Sequence, residues 1–211
     1  MKSRINIALI DLEMGNLKSV QNSLDYLGYD YEIVQSSKDL NNYTHIILPG
    51  VGSFKKAMNK LKETKLKEKI IYAVKYKKVK ILGICLGMQL LGSSSDENGL
   101  TKGLSLIKNK VKKFKRTELK KLNLPHVGFN NIKVNTNDNN FFSNLPKKID
   151  FYFVHAYRML VEDLKCDYAT CIYGIKFLAS FNKDNIFGTQ FHPEKSQDNG
   201  LNLLKNFITN A

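Results

Sequence analysis

Through the first half of the chain, apolar residues fall in short solid runs separated by stretches with helical spacing. "INIALI" (5–10), "YEIVQ" (31–35), "HIILPG" (45–50) and "VKILGI" (79–84) read as strands. Leu17, Val20, Leu24 and Leu27 recur at helical intervals and stop at Gly28, which predicts an amphipathic helix. Helical patterns also cover 54–61, 66–76 and a turn over 88–91. Solid apolar strands alternating with helices predict a parallel sheet covered on both faces.

The second half changes character. "GLSLIKNKVKKF", "NNIKVN", "IDFYFVHAY", "YATCIYG", "FLASFN" and "NIFGTQFH" read as successive strands with turn residues between them, which predicts antiparallel additions to the sheet. Leu201, Leu204, Phe207 and Ile208 mark a C-terminal amphipathic helix that should close over it. With no repeat, linker or low-complexity tract, residues 1–211 are expected to form one α/β domain.

Composition narrows the class. The chain is 43% hydrophobic and 25% charged, the profile of a globular protein rather than a disordered one. No apolar run approaches the roughly 18 residues of a membrane span. Basic residues precede the first apolar run as in a signal peptide, but that run ends early, at Asp11 and Glu13. It is read as a first strand, and the chain as cytoplasmic. The formal charge of +14 raises the question of nucleic acid, yet nearly all the excess is scattered Lys, and no nucleic-acid motif accompanies it. One dense run, "KNKVKKFKRTELKK" (108–121), fits a basic face that collects anionic substrates or an acidic partner better than a polyanion site. Cys85, Cys166 and Cys171 have no metal-ligand spacing, so no metal or cofactor is expected. Cys166 and Cys171 read as ordinary small apolar residues.

Cys85 stands in "LGICLGMQLL", between Gly83 and Gly87, where strand gives way to helix. That is the layout of a nucleophile elbow with Cys in place of Ser. The sharp turn leaves no room for neighbouring side chains, hence the glycines, and the helix N-terminus favours the thiolate. A nucleophilic thiol needs a base. His45 should sit at the rim of the sheet; His126, in a "LPHVGFN" loop, and His155, after an aromatic strand, read as hydrogen-bonded, half-buried residues. His192 ends a strand and is followed by Pro193 and Glu194. Residues i and i+2 of an extended chain project the same way, so Glu194 can hold one imidazole nitrogen while the other faces Cys85. The glycines of "LPGVGSF" (48–54) let Val51 and Gly52 turn N–H groups outward as an oxyanion nest, with the N–H of Leu86 as a further donor. Taken alone, that stretch serves equally as an ordinary strand-to-helix turn.

"PGVGSF", "GICLGMQLL", "LPHVGFN", "YFVHAY" and "FHPEKSQDNGLNLLKNF" together resemble the class I, triad-type glutamine amidotransferases. With "MGNLKSV" they are similar, more narrowly, to the glutaminase subunits of imidazole glycerol phosphate synthases, from about residue 5 to the C-terminus. The resemblance implies the class I amidotransferase fold and glutamine hydrolysis by Cys85, His192 and Glu194 through a thioester. It also implies glutamine contacts from Gly50, Gly52, Gln89 and His155. It implies a separate (βα)8-barrel partner that receives the ammonia, with Asn16, Phe129, Tyr152 and Lys195 near that interface or the ammonia entrance. Two departures stand out: "DLEMGN" where the family commonly reads "DYGxGN", and Phe129 where it commonly offers Trp. The same chemistry feeding surface-sugar amidination, and a stand-alone γ-glutamyl hydrolase, are the alternative readings.

Overall fold

The computed structural model describes residues 5–135, 140–146, 149–161 and 164–210, so the first four residues of the chain and Ala211 lie outside it. In chain order the elements open as β1 (Ile7–Ile10), α1 (Leu17–Tyr26), β2 (Tyr31–Val34), β3 (His45–Leu48), α2 (Phe54–Glu63), α3 (Leu66–Tyr76), β4 (Lys80–Ile84) and α4 (Leu86–Leu91). They continue with β5 (Ser94–Ser95), β6 (Thr101–Lys102), β7 (Lys110–Lys113), α5 (Arg116–Leu119), β8 (His126–Asn135), β9 (Ile149–His155) and β10 (Tyr157–Met159). Then come β11 (Asp167–Tyr173), β12 (Ile175–Lys183), β13 (Ile186–Thr189) and α6 (Gln197–Thr209). Among the described residues no helix is long and apolar enough to cross a membrane.

One nine-stranded sheet, ordered β2-β1-β3-β4-β13-β12-β11-β8-β9, carries the fold. Its first four strands are parallel, as the solid apolar runs predict. Side chains alternate between two cores. Ala8, Ile10, Ile46 and Ile81 face α2, α3 and α4 through Ala57, Met58, Ile70 and Met88, while Ile7, Leu9, Ile47 and Leu82 face α1 and α6 through Val20, Leu24, Leu203 and Phe207. A strand buried on both faces has no polar side to show, which is why these segments read as unbroken apolar runs.

Several expectations are corrected. β13, grouped in sequence with the antiparallel additions, pairs parallel to β4 and antiparallel only to β12. It therefore sits in the centre of the sheet and brings the end of "NIFGTQFH" beside the end of β4. The segment "GLSLIKNKVKKF" is a strand only over Lys110–Lys113. Its earlier part crosses the end of α4, where the N–H groups of Leu104 and Leu106 donate to the Leu90 and Leu91 carbonyls at 2.8 and 3.0 Å. Those carbonyls would otherwise lack partners at the helix end. β5, β6, β7 and β10 form a second, four-stranded sheet that the sequence pattern did not suggest. His126 begins β8 rather than standing in a loop. His45 is not at an open rim: it is 3% exposed, with its ring edge against Phe207. His126 and His155 are buried, not half-buried.

Candidate active site

The parallel pairing of β4 and β13 aligns Ile84 with Thr189 at their carboxyl ends. Cys85 follows Ile84 directly and takes φ 52° and ψ −105° at the cap of α4, a conformation that non-glycine residues rarely adopt. Its backbone N–H donates to the Thr189 carbonyl at 2.7 Å, and its carbonyl accepts from the Gln89 N–H at 3.2 Å. The flanking glycines allow the turn. A Cβ on Gly87 would lie 1.7 Å from the Leu48 carbonyl oxygen, and one on Gly83 would lie 2.6 Å from the Gly87 carbonyl carbon. Both are backbone atoms that cannot move aside, so α4 packs on β3 and β4 only because these positions lack side chains.

His192 lies beyond the end of β13, held by its own N–H to the Tyr152 carbonyl at 2.8 Å and by Ser196 Oγ donating to its carbonyl at 2.6 Å. Its Nδ1 meets Glu194 Oε1 at 2.6 Å, and both side chains are fully buried. A carboxylate only accepts, so Nδ1 carries a proton towards Glu194 and Nε2 is the nitrogen left without a carboxylate partner. No hydrogen bond of normal geometry reaches Nε2 among the described residues. Burial works against a charge on His192, but the Cys85 sulfur and the Glu194 carboxylate outweigh it and raise the imidazole above its ordinary range. Asn16, expected near a partner interface or the ammonia entrance, donates from Nδ2 to Glu194 Oε1 and lies 3.2 Å from His192 Nδ1.

A cavity of about 390 Å³ opens over the sulfur, walled by Val51, Gly52, Cys85, Leu86, Gln89, Glu97 and His155 among others. Gln89 and His155 line it as expected, but their nitrogens are already engaged. Gln89 Nε2 donates to the Tyr157 carbonyl and to Gln190 Oε1, both at 3.0 Å. His155 Nδ1 donates to the Tyr157 carbonyl at 2.8 Å, which leaves Nε2 to accept from His126 Nδ1 at 3.0 Å. Burial pushes the His155 pKa down to about 3, so its ring stays neutral.

The donors expected to form an oxyanion hole are not so placed. The Leu86 N–H donates to the Gly50 carbonyl at 3.3 Å, so it is occupied. In a planar trans peptide C=O and N–H point opposite ways, so the Val51 N–H, on the same peptide, faces away from the sulfur. Gly50, expected to contact glutamine, does not line this cavity. Gly52 holds φ 103°, a conformation natural only to glycine.

Two side chains were missed from sequence. Glu97 lines the cavity and accepts the Phe54 N–H on Oε2 at 2.7 Å, which ties the β5–β6 loop to the start of α2. It puts a carboxylate where an amino acid's ammonium group could rest. Gln190 is fully buried and donates from Nε2 to Cys85 Sγ at 3.6 Å. Only its place two residues before His192 could have marked it. Phe129 and Tyr152 pair across β8 and β9 with rings edge to face at 5.6 Å, and Phe129 is 49% exposed. Lys195 is exposed on the turn after His192.

A thiol on a strained elbow, an imidazole aligned by a carboxylate and a cavity over the sulfur define an α/β protein equipped for cysteine-based acyl transfer. The comparisons carry this further. The sequence model of the class I glutamine amidotransferases matches residues 8–211. The "Imidazole glycerol phosphate synthase subunit HisH 1" of Parasynechococcus marenigrum is 45% identical over 204 residues, covering 96% of this chain and 97% of that protein. The subunit HisH of Leptospira interrogans is 44% identical over 204 residues, covering 96% and 99%. Among solved structures, PurLQS from Thermotoga maritima superposes with a TM-score of 0.76 at 19% identity, over 97% of this chain and 98% of that one, a likeness of fold. The chain belongs to the class I glutamine amidotransferases, in the branch of the HisH subunits of imidazole glycerol phosphate synthase.

Proposed function

We propose that the chain is the glutaminase subunit of an imidazole glycerol phosphate synthase of the cytoplasm, supplying ammonia for histidine biosynthesis. Cys85 Sγ, as thiolate, attacks the side-chain carbonyl carbon of glutamine. His192, charged, gives its Nε2 proton to the amide nitrogen as the C–N bond breaks, so ammonia leaves and a γ-glutamyl thioester remains. Water then adds to the thioester with His192 as base, and glutamate departs as the sulfur regains its charge. Glu194 fixes the tautomer of His192, and Asn16 holds Glu194. Val51 and Leu86 supply the oxyanion donors once the Gly50–Val51 peptide turns over. Glu97 takes the ammonium end of the substrate, and Gln89 offers its free oxygen.

Ammonia released into water would be protonated and lose its nucleophilicity, so it passes to a (βα)8-barrel subunit in a heterodimer. There it completes imidazole glycerol phosphate and aminoimidazole carboxamide ribotide. The exposed Phe129, with the half-buried Tyr152 behind it, is the docking anchor in this reading. The observation that carries the proposal is Cys85 on its elbow beside the buried His192–Glu194 pair.

The test is a set of substitutions in the assembled complex. Cys85→Ala should abolish glutamine-dependent synthesis but leave synthesis from added ammonium salt intact. His192→Asn should cost several powers of ten, and Glu194→Gln less. Glutamine hydrolysis that survives Cys85→Ala would overturn the assignment. Phe129, smaller than the Trp usual in the family, keeps one other acceptor in view, a surface-sugar precursor. Activation by a barrel of that pathway and not by the histidine-pathway barrel would select it.

A further inference from the structure

Two side-chain amides and one backbone carbonyl beside Cys85 form a chain whose polarity is fixed at one end. The Tyr157 carbonyl can only accept, so the nitrogen of Gln89, not its oxygen, faces it at 3.0 Å. The second hydrogen on that nitrogen points at Gln190, also at 3.0 Å, so Gln190 must present its oxygen there. Its Nε2 is then turned to Cys85 Sγ at 3.6 Å. Strand register explains why Gln190 is in reach: Ile84 and Thr189 are aligned neighbours, and Cys85 and Gln190 are the next residues of the two chains.

We propose that Gln190 is a catalytic residue of this site, its amide N–H holding the Cys85 sulfur in the thiolate form and aiming it at the cavity. One further polar contact of the sulfur has the opposite sense. The Val154 carbonyl, 3.8 Å away, can accept from a thiol S–H but repels a thiolate. Cys171, buried on β11, has its thiol pushed up to about 12 by burial. A donor aimed at the sulfur gains strength when the sulfur is charged, so the Gln190 contact shifts the balance from thiol to thiolate. Gln89 thereby acquires a second duty, since its nitrogen orients Gln190 and only its oxygen remains for substrate.

The inference rests on Cys85 being the nucleophile of the proposed reaction, but its test reads the sulfur directly. The full chain is labelled with iodoacetamide across a pH series, and alkylation of each cysteine is followed by mass spectrometry. Cys166 and Cys171 serve as internal controls. The other titratable groups around the sulfur are His192 with Glu194 behind it, and His155, Glu97 and Tyr157 of the cavity wall; all are untouched by the substitutions. In Gln190→Met, which keeps the bulk but removes the donor, the midpoint of Cys85 labelling should rise by about one pH unit, so neutral-pH labelling slows about tenfold. Gln190→Glu still accepts from Gln89 but offers the sulfur a carboxylate, and should shift the midpoint further. A purely structural role would lower thermal stability in either variant without moving the midpoint. Unchanged midpoints in both variants overturn the proposal, and Gln190→Glu alone decides if Gln190→Met does not fold. A Cys85→Ala enzyme that still hydrolyses glutamine would sink the proposed function while leaving this labelling result to stand or fall separately.

Discussion

Under the proposed function, the isolated chain should hydrolyse glutamine at least a hundredfold more slowly than the same chain bound to the proposed barrel subunit with the ammonia acceptor present. The reason lies in one peptide. With the Gly50 carbonyl on the Leu86 N–H at 3.3 Å, one oxyanion donor is occupied and the Val51 N–H faces away from the sulfur. Loss of a single such donor costs roughly 10²–10³ in rate, or about 2.7–4 kcal/mol. The loss here is one of population rather than of the groups themselves, because turning the peptide over restores both donors at once. If the resting orientation is favoured by about 3–4 kcal/mol, the productive one is populated at roughly 10⁻²–10⁻³, and the rate falls in proportion. The hydrogen bond that holds the resting state is long, and such a bond contributes only about 1 kcal/mol net, so the rest must come from the backbone preferences of the loop. The partner has to contribute the same differential free energy on binding. The assay is steady-state glutamate release by the chain alone, with the barrel, and with barrel and acceptor. Equal rates in all three would refute the resting-peptide argument and favour a stand-alone hydrolase.

Two further outcomes can be measured. Phe129→Ala should weaken binding of the barrel subunit by about 1–3 kcal/mol, read by titration calorimetry, while leaving the fold intact because the ring is 49% exposed. Unchanged affinity would remove Phe129 from the interface. Burial holds His45 and His126 down to about 4 and His155 to about 3, from an ordinary 6.5. Below that ordinary value the unfolded chain binds protons that the fold refuses, so stability should fall as pH drops toward the folded values. By about pH 5 each histidine costs roughly 2 kcal/mol. His192, raised, has the opposite sign, its contribution being lost only as pH climbs through its folded value. Urea unfolding at pH 7.5 and 5 checks this, and His45→Gln should flatten the dependence by about 2 kcal/mol. A dependence as steep in the variant as in the parent would contradict it.

The parallel half of the sheet was legible because burial on both faces leaves a local mark. β1 is apolar throughout, and β3, β4 and β13 are apolar but for one end residue each, His45, Lys80 and Thr189; β13 is buried along its whole length. The run of β13 carried the information that it is central; its order among antiparallel neighbours hid the parallel pairing to β4, a contact across about a hundred residues. The second sheet left almost no trace. Two of its strands are two residues long, Ser94–Ser95 and Thr101–Lys102, too short for any period to register. His126 was misplaced because Pro125 and Gly128 mimic turn chemistry, although Gly128 lies within β8 and takes φ 126° there.

The same division separates the parts of the site. Cys85 and the His192–Glu194 pair are each written in a few neighbouring residues, because an elbow needs glycines at fixed offsets and an extended i, i+2 pair shares a side. Glu97 and Gln190 carry no such local requirement. Glu97 reaches the cavity beside Phe54, and Gln190 reaches the Cys85 sulfur, through contacts that only the assembled sheet creates. The oxyanion peptide stands between these cases. Its residues were readable, and its glycines announced that it can turn, yet nothing local chooses between two orientations of one peptide plane. The choice depends on whether Leu86 N–H meets the Gly50 carbonyl or a substrate oxyanion. It is therefore a difference in free energy between two packed states, the quantity that a partner subunit can alter without changing a single residue of the chain.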